Sequence, residues 1–299
     1  MLGLAVRKAT PADKDAVVAL CRAISEHDYV PEMFDGAVAL EAPQGLYVAE
    51  LDGRVVGCHS VDVTAPGTGF FFAMRVDPRL QGQGIGSAYA GLQVEEAVAA
   101  GLRRLFLTSA PGNVRAHRTV ERNGFVNLGE WVIWEAVLVE PPGAVERQVP
   151  NVAPPLRARA ATPADLPAVA AFQASLAGEV LASVIAASDY PYGFSVIGDE
   201  DWAVEDLVVV DGEAGGGLAG CMLLRQIDWD GPPQLYIRRL EGTPEAAAAL
   251  LDYARAWGGA RGLEQWGVSL PARCEPLLAP LGLDSAKCER WYMFEYEAK

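Results

Sequence analysis

The stretch RVDPRLQGQGIGSAYAGL, Arg75–Leu92, places glycine at three alternate positions, Gly82, Gly84 and Gly86. It follows the apolar run Phe70-Phe71-Phe72-Ala73-Met74. It precedes an alanine-rich segment with Ile85, Ala88, Leu92 and Ala99 on one helical face, closed by Gly101. Glycine in or at the start of a helix costs roughly 1 kcal/mol relative to alanine. A helix N-terminus also offers unpaired N–H groups and a partial positive charge, which together bind phosphate. Side chains at the three glycine positions would keep an anion off those groups; their absence lets the backbone wrap it. The plainer alternative is a tight strand-to-helix turn with no ligand.

Two common phosphate loops fit poorly. A Walker loop needs Gly-Lys-Ser/Thr, and here Gly86 is followed directly by Ser87. A dinucleotide loop needs GxGxxG and an acid ending the next strand, whereas Arg103-Arg104-Leu105-Phe106-Leu107-Thr108-Ser109 ends without one.

Outward from the loop, the chain repeats itself. Ala-Thr-Pro-Ala-Asp occurs at Ala9–Asp13 and again at Ala161–Asp165, each time as a strand end followed by a threonine cap and a proline-led helix. Leu46–Gly53 is echoed by Leu207–Gly212, and each leads to a Gly-Cys pair, Gly57-Cys58 and Gly220-Cys221. Glu121–Phe125 is echoed by Ala279–Leu283, and Trp131–Glu135 by Trp291–Glu295. Same-order echoes read as a tandem duplication. Pro141-Pro142-Gly143 and Pro154-Pro155 bracket its seam, so the expected division is a first domain 1–141, a linker 142–155 and a second domain 156–299. Each half reads as α/β. In the first, strands are expected near 4–8, 46–51, 54–64, 69–76, 103–109 and 130–138, and helices near 11–24, 84–100 and 114–123. Asp52-Gly53 supplies a hairpin turn. The sum is a mixed sheet with helices on both faces.

Composition narrows the classes of function. The 299 residues are 51% hydrophobic and 21% charged, with apolar runs far short of the ~20 residues of a membrane span, which predicts a soluble protein. The start, MLGLAVRKAT, lacks the pattern of a secretion signal. Five scattered cysteines without a CxxC pair predict reduced thiols in a cytoplasmic protein, and with three unclustered histidines they give no metal site. A net charge of −15 argues against a nucleic-acid partner and would attract a cationic substrate, although it also serves plain solubility.

Gln81-x-x-Gly84-x-Gly86 after Val76-Asp77-Pro78 resembles the pyrophosphate loop of the GNAT superfamily of N-acetyltransferases. Asn113-x-Arg115-Ala116 and Glu121-Arg122-Asn123-Gly124-Phe125 continue the resemblance, which covers roughly residues 4–138. It implies two tandem GNAT folds and acetyl-CoA as co-substrate, with no metal. Met74, Arg75 and Val76 would pair their backbone with the pantetheine arm. Gln81, Gly82, Gln83, Gly84, Ile85, Gly86 and Ser87 would hold the pyrophosphate. Asn113 would bond the pantetheine, and Ala116 would leave it room. The strands after these motifs would splay, and the thioester would lie in the gap, its oxyanion near the N–H of Met74.

The sequence departs from the family pattern twice. The usual acidic tyrosine, seven residues after the Asn, is Val120 here, and the usual strand glutamate is absent, with Phe70 in the likely place. The catalytic candidates are therefore His117 as acid and Asp62 as base. Ser109 and Cys58 are alternative acids, His59 and Glu50 alternative bases. The second half has one glycine in the matching stretch Leu235–Glu245, a proline at Pro244, and Pro271-Ala272-Arg273-Cys274 in place of the Asn block. It is expected to be a degenerate copy without cofactor. Asp189–Phe194 and Asp199–Trp202 join acidic and aromatic residues that suit a cation or an ordinary surface loop. The expected activity is acetyl transfer to the primary amine of a small molecule, with the acceptor side lined by residues 28–45. The alternatives are transfer to a protein amine, a non-catalytic CoA-binding or ligand-sensing protein, and a self-associating scaffold. Homodimerisation is an open option.

Overall fold

The computed structural model describes residues 3–137, 156–176, 204–212, 217–227, 232–281 and 288–298. The expected linker 142–155 and the segments Asp189–Phe194 and Asp199–Trp202 lie outside these residues, as does the end of the Ala279–Leu283 echo.

The chain divides into two compact units, residues 1–128 with 292–299, and residues 129–291. In the first, the strands run in the order β1 (Leu4–Lys8), β2 (Gly45–Leu51), β3 (Arg54–Ala65), β4 (Thr68–Val76), β5 (Arg104–Ser109) and the Tyr292–Glu297 part of β12 (Glu289–Glu297). The first four pair antiparallel, and β4 pairs β5 in parallel, so the sheet is mixed. Helices α1 (Lys14–Arg22) and α2 (Val30–Ala39) cover one face. There Val17, Cys21, Val30 and Phe34 meet Leu46, Val48 and Cys58. Helices α3 (Ile85–Ala99) and α4 (Val114–Arg122) share the other face, where Val94, Ala97 and Val120 meet Tyr47, Val61 and Phe71. Alternation along each strand sends successive residues to opposite faces. The hairpin turn forms where Asp52-Gly53 predicts it, with φ of 50° and 76°. Helix α2 is absent from the helices expected between residues 28 and 45. Its start signal, Pro31 in the first turn followed by Glu32, is nonetheless in the sequence.

The second unit orders β6 (Val126–Val137, from Gly129 on), β11 (Gln265–Pro271), β10 (Gln234–Gly242), β9 (Leu218–Ile227), β8 (Leu207–Asp211) and β7 (Ala158–Ala160). Strands β7 to β10 pair antiparallel and β10 pairs β11 in parallel, the pattern of β1 to β5 again. Helix α5 (Leu166–Leu176) packs on β9. Helix α6 (Pro244–Gly259) carries the main core with Leu250, Leu251 and Ala254 against Leu235, Ile237 and Val268. The Ala279–Leu283 echo of α4 does not begin an α-helix; Ala272–Leu281 is 3-10 helix.

The sequence seam at 142–155 and these packing boundaries answer different questions. Compactness assigns the last strand of the chain to the first unit, and most of β6 to the second.

A candidate acyl-CoA site in the first unit

The parallel ladder between β4 and β5 runs only from Thr68–Arg104 to Phe71–Leu107. Both strands continue beyond it, and the edge of β4 from Ala73 to Val76 has no ladder partner on the β5 side among the described residues. An extra residue helps part them. From Ser60–Phe72 to Cys58–Arg75, β3 advances two residues and β4 three, and Ala73 takes a left-handed φ of 57°. Alanine disfavours that region, so the sequence carried no sign of this bulge. Met74, Arg75 and Val76 follow it along the free edge.

The glycine loop lies at the end of β4. A 3-10 turn at Pro78–Leu80 is capped by Asp77, whose carboxylate accepts from Arg79 N and also holds the Arg79 side chain. Gly82 and Gly84 both take φ of 80°, and Gly84 is the N-cap of α3 with no side-chain cap. Ser87 and Ala88 N–H both donate to Gly84 O. The N–H groups of Gly82, Gln83, Gly84, Ile85 and Gly86 form no backbone hydrogen bond of normal geometry among the described residues. A Cβ added at Gly82, Gly84 or Gly86 would meet no protein atom within 4 Å, so packing is not what excludes side chains there. Gly91 is different, since its Cβ would come within 2.9 Å of Asn123 Oδ1.

Helix α4 is fastened beside the loop. Asn123 Nδ2 donates to Ser87 O at 3.1 Å and Thr119 O at 2.9 Å, and Arg115 Nη1 donates to Gln81 Oε1 at 2.5 Å. Asn113 caps α4, its Oδ1 accepting from Ala116 N at 3.3 Å. The Asn123 clamp was not read from the sequence, though the motif containing it was.

The catalytic candidates separate by environment. Glu50 is held by Arg7 at 2.6 Å, in a network with Asp13. His59 is fully buried, its Nδ1 2.7 Å from Tyr89 Oη, and burial pushes its pKa down to about 3. It cannot be a cation near neutrality. Cys58 is fully buried beside Cys21, and that contact together with burial raises its thiol pKa. Ser109 is buried at the end of β5. His117 donates from Nε2 to Ala110 O at 3.1 Å and packs between the rings of Tyr292 and Phe294. Val120 is buried in the α3–α4 core.

Asp62 stands apart. It is the register partner of Phe70, half-buried on β3, and burial pushes its carboxyl up to about 6. It belongs to the face that also carries Ser60, Phe70 and Phe72, because directly opposed residues point the same way. On the same face Asp28 and Arg75 form an ion pair at 2.6 Å, with the guanidinium 5.3 Å from the Tyr29 ring. That pair ties the α1–α2 connection to β4 and leaves the backbone of Arg75 on the free edge. Among the described residues no three His, Cys, Asp or Glu side chains gather as a metal set, and no helix is long and apolar enough to cross a membrane.

Residues 16–125 match the Acetyltransferase (GNAT) family model. A mycothiol acetyltransferase from Thermomonospora curvata is 31% identical over 94 residues, which are 31% of this chain and 32% of that protein. The matched part thus spans about a third of that relative's length. A GCN5-related N-acetyltransferase from Sphaerobacter thermophilus superposes over 98% of this chain and 95% of its own, with a TM-score of 0.57 and 18% identity. The glucosamine N-acetyltransferase region of a fungal multi-domain GH3 beta-N-acetylglucosaminidase gives 98% and 38%, a TM-score of 0.58 and 14% identity. At those identities the likeness is one of fold. The segment that matches the GNAT acetyltransferase family model, residues 16–125, is the one that holds the open-ended helix and the parted strands.

Proposed function

We propose that the first unit binds acetyl-CoA and transfers its acetyl group to the primary amine of a small molecule. The row of N–H groups from Gly82 to Gly86 carries this reading. Adjacent N–H groups that make no backbone hydrogen bond of normal geometry among the described residues, at the positive end of a helix, are what a pyrophosphate requires. The edge of β4 from Ala73 to Val76 offers backbone groups to the amides of pantetheine, with Asn113 and Ala116 across the gap. The amine attacks the thioester carbonyl, the N–H at the bulge near Met74 steadies the oxyanion, and the C–S bond breaks.

Asp62 is the base that takes the amine proton. It lies directly across the ladder from Phe70, where the family resemblance would put a glutamate, about 5 Å away between Cβ atoms. A carboxyl with a pKa near 6 is deprotonated at neutral pH yet far more basic than an ordinary one. The leaving thiolate is itself weakly basic and can be protonated by water.

We also infer that residues 156–299 are a second, degenerate copy of the same fold. The two halves share a network as well as a sequence. Arg7 binds Asp13 and Glu50, and Arg159 binds Asp165 and Asp211, in each case with a capping box at the threonine before the aspartate. Gly57 and Gly220 are both close approaches, where a Cβ would come within 2.8 Å of the carbonyl of the next strand. An acceptor on a protein is the alternative to a small molecule.

Calorimetric titration of acetyl-CoA, followed by thiol release with a panel of amines, tests the proposal. One site per chain is expected. kcat/KM should rise about tenfold per pH unit below pH 6 and level off above it, because only the ionised Asp62 accepts a proton. Asp62→Asn should lower kcat/KM about 100-fold and leave acetyl-CoA affinity unchanged. A second reading, a CoA-binding sensor, is favoured by buried Val120 and by His117, whose Nε2 is taken by Ala110 O. Tight binding with no thiol release for any amine would select it.

A further inference from the structure

Two arginines that flank the glycine loop are spent, Arg75 on Asp28 and Arg79 on Asp77, and Arg54 also lies near Asp77. Helix α4 differs. Arg115, Arg118 and Arg122 stand at i, i+3 and i+7 and so share a face, and all three are exposed. None of them has an ion-pair partner among the described residues. The one bond from Arg115 goes to a neutral amide, Gln81 Oε1.

Toward the N-terminus of α4 this arrangement runs against local electrostatics, while Arg122 in the last turn agrees with the helix dipole. Like charges three and four residues apart on a helix repel. Arg115 in the first turn also faces the positive end of the helix dipole. The stripe persists in a chain with 39 acidic residues and 24 basic ones, where partners are plentiful. A broken local rule without internal compensation marks a place where something external supplies it. Both ends of α4 are tied to the loop and to the first turn of α3, through Gln81 and Ser87, so the arginine face flanks the row of free N–H groups.

We propose that the Arg115–Arg118–Arg122 face seats a phosphate monoester dianion, and that in a CoA thioester this is the 3′-phosphate of the ribose. The proposal rests on the cofactor reading above. Backbone dipoles suffice for the singly charged phosphates of a pyrophosphate diester. A dianion calls for full positive charge, and guanidinium forks match its geometry. The ribose ring alone separates the two phosphate groups. Residues 115 and 122 are about 10 Å apart along the helix axis, within which three arginine side chains can converge. These residues therefore set the preference for acetyl-CoA over its dephospho form.

The test is calorimetric titration of acetyl-CoA and acetyl-dephospho-CoA into wild-type protein and the Arg118→Ala/Arg122→Ala double variant, in phosphate-free buffer. Wild type should prefer acetyl-CoA by about tenfold or more, the size of one charge-assisted hydrogen bond. The double variant should lose that preference while binding the dephospho form as wild type does. Equal wild-type affinity for the two would overturn the assignment and leave the cofactor reading intact, as would an equal loss for both in the variant. No binding of either by wild type would overturn the cofactor reading itself. Inorganic phosphate alone should give no saturable heat; saturable binding abolished in the variant, with no preference between cofactors, would mark a free-phosphate site and overturn the assignment. Both positions are exposed and their removal relieves repulsion, so the variant should melt no lower than wild type.

Discussion

The N-termini of α3 and α6 occupy matching places after β4 and β10, and they end in opposite ways. Helix α3 begins at Gly84, in a left-handed conformation with no side-chain cap, after a loop whose N–H groups make no backbone hydrogen bond of normal geometry among the described residues. Helix α6 begins at Thr243, whose Oγ1 accepts from Ala246 N at 3.2 Å, and Pro244 in its first turn has no N–H to offer. The spaces beside them differ in the same sense. Both parallel ladders stop early, at Phe71–Leu107 and at Ile237–Val268, and both preceding strands carry an extra residue just beyond. In the second unit the region past that point holds a protein ion pair. Arg273 grips Glu241 with two bonds of 2.9 and 3.0 Å, and Cys274 lies 3.7 Å from the same carboxylate. The carboxylate of Glu241, just before α6, is thus turned to an arginine, and Glu245 lies in the first turn of the helix. A helix end capped from within offers fewer donors to a ligand.

That contrast can be broken at several points. The largest effect is expected from Gly84→Glu, which puts a carboxylate among the free N–H groups. Acetyl-CoA affinity should fall by roughly 100-fold or more, about 3 kcal/mol. Because a Cβ there meets no neighbour, the fold should survive at the cost of left-handed strain of about 1–2 kcal/mol. Retained affinity in a calorimetric titration would mean that the loop is only a turn. Next comes Arg273→Ala, which leaves the carboxylate of Glu241, a residue only 4% exposed, with Arg239 at 3.8 Å as its remaining cation. Breaking a buried pair costs about 3–5 kcal/mol, and the partial exposure of Arg273 lowers the expectation to about 2–3 kcal/mol. Denaturant unfolding should register that loss, with acetyl-CoA affinity unchanged. A gain of a second acetyl-CoA site would show that the ion pair alone kept the second unit silent. The smallest effect belongs to Thr243→Ala, about 1 kcal/mol for a lost cap. An unchanged melting curve would mean that α6 does not depend on its own capping.

Much of this was written locally. Thr10 and Thr162 form matching capping boxes because threonine followed three residues later by aspartate is a self-contained device. Asp52-Gly53 makes its hairpin turn for the same reason, as both residues tolerate positive φ. The alternate glycines spelled out an open helix end, since φ of 80° at Gly82 and Gly84 is a property of those residues more than of their surroundings. The catalytic candidates were another matter. Glu50, His59, Asp62 and His117 look alike on the page as ionisable residues. Arg7, Tyr89 and the carbonyl of Ala110 engage three of them, and only the burial of Asp62 beside Phe70 raises a carboxyl pKa into a useful range.

By itself, then, the sequence determined the matching capping boxes, the alternation of strands and helices, and the open glycine start of α3, because each depends on residues close together in the chain. Tertiary structure decided the rest. The bulge at Ala73 arises from how β4 registers against β3, in spite of alanine's own preference. The assignment of closing strands is the clearest case. Trp131-Val132-Ile133-Trp134-Glu135 and Trp291-Tyr292-Met293-Phe294-Glu295 are alike enough in pattern that either could complete either sheet. Phe294 is buried with Phe71, Leu105 and Val120 in the first unit, and Val132 with Val268 and Leu270 in the second. Strand pairing and the fit of these side chains against distant neighbours settle that choice, and neither is encoded within the strand itself.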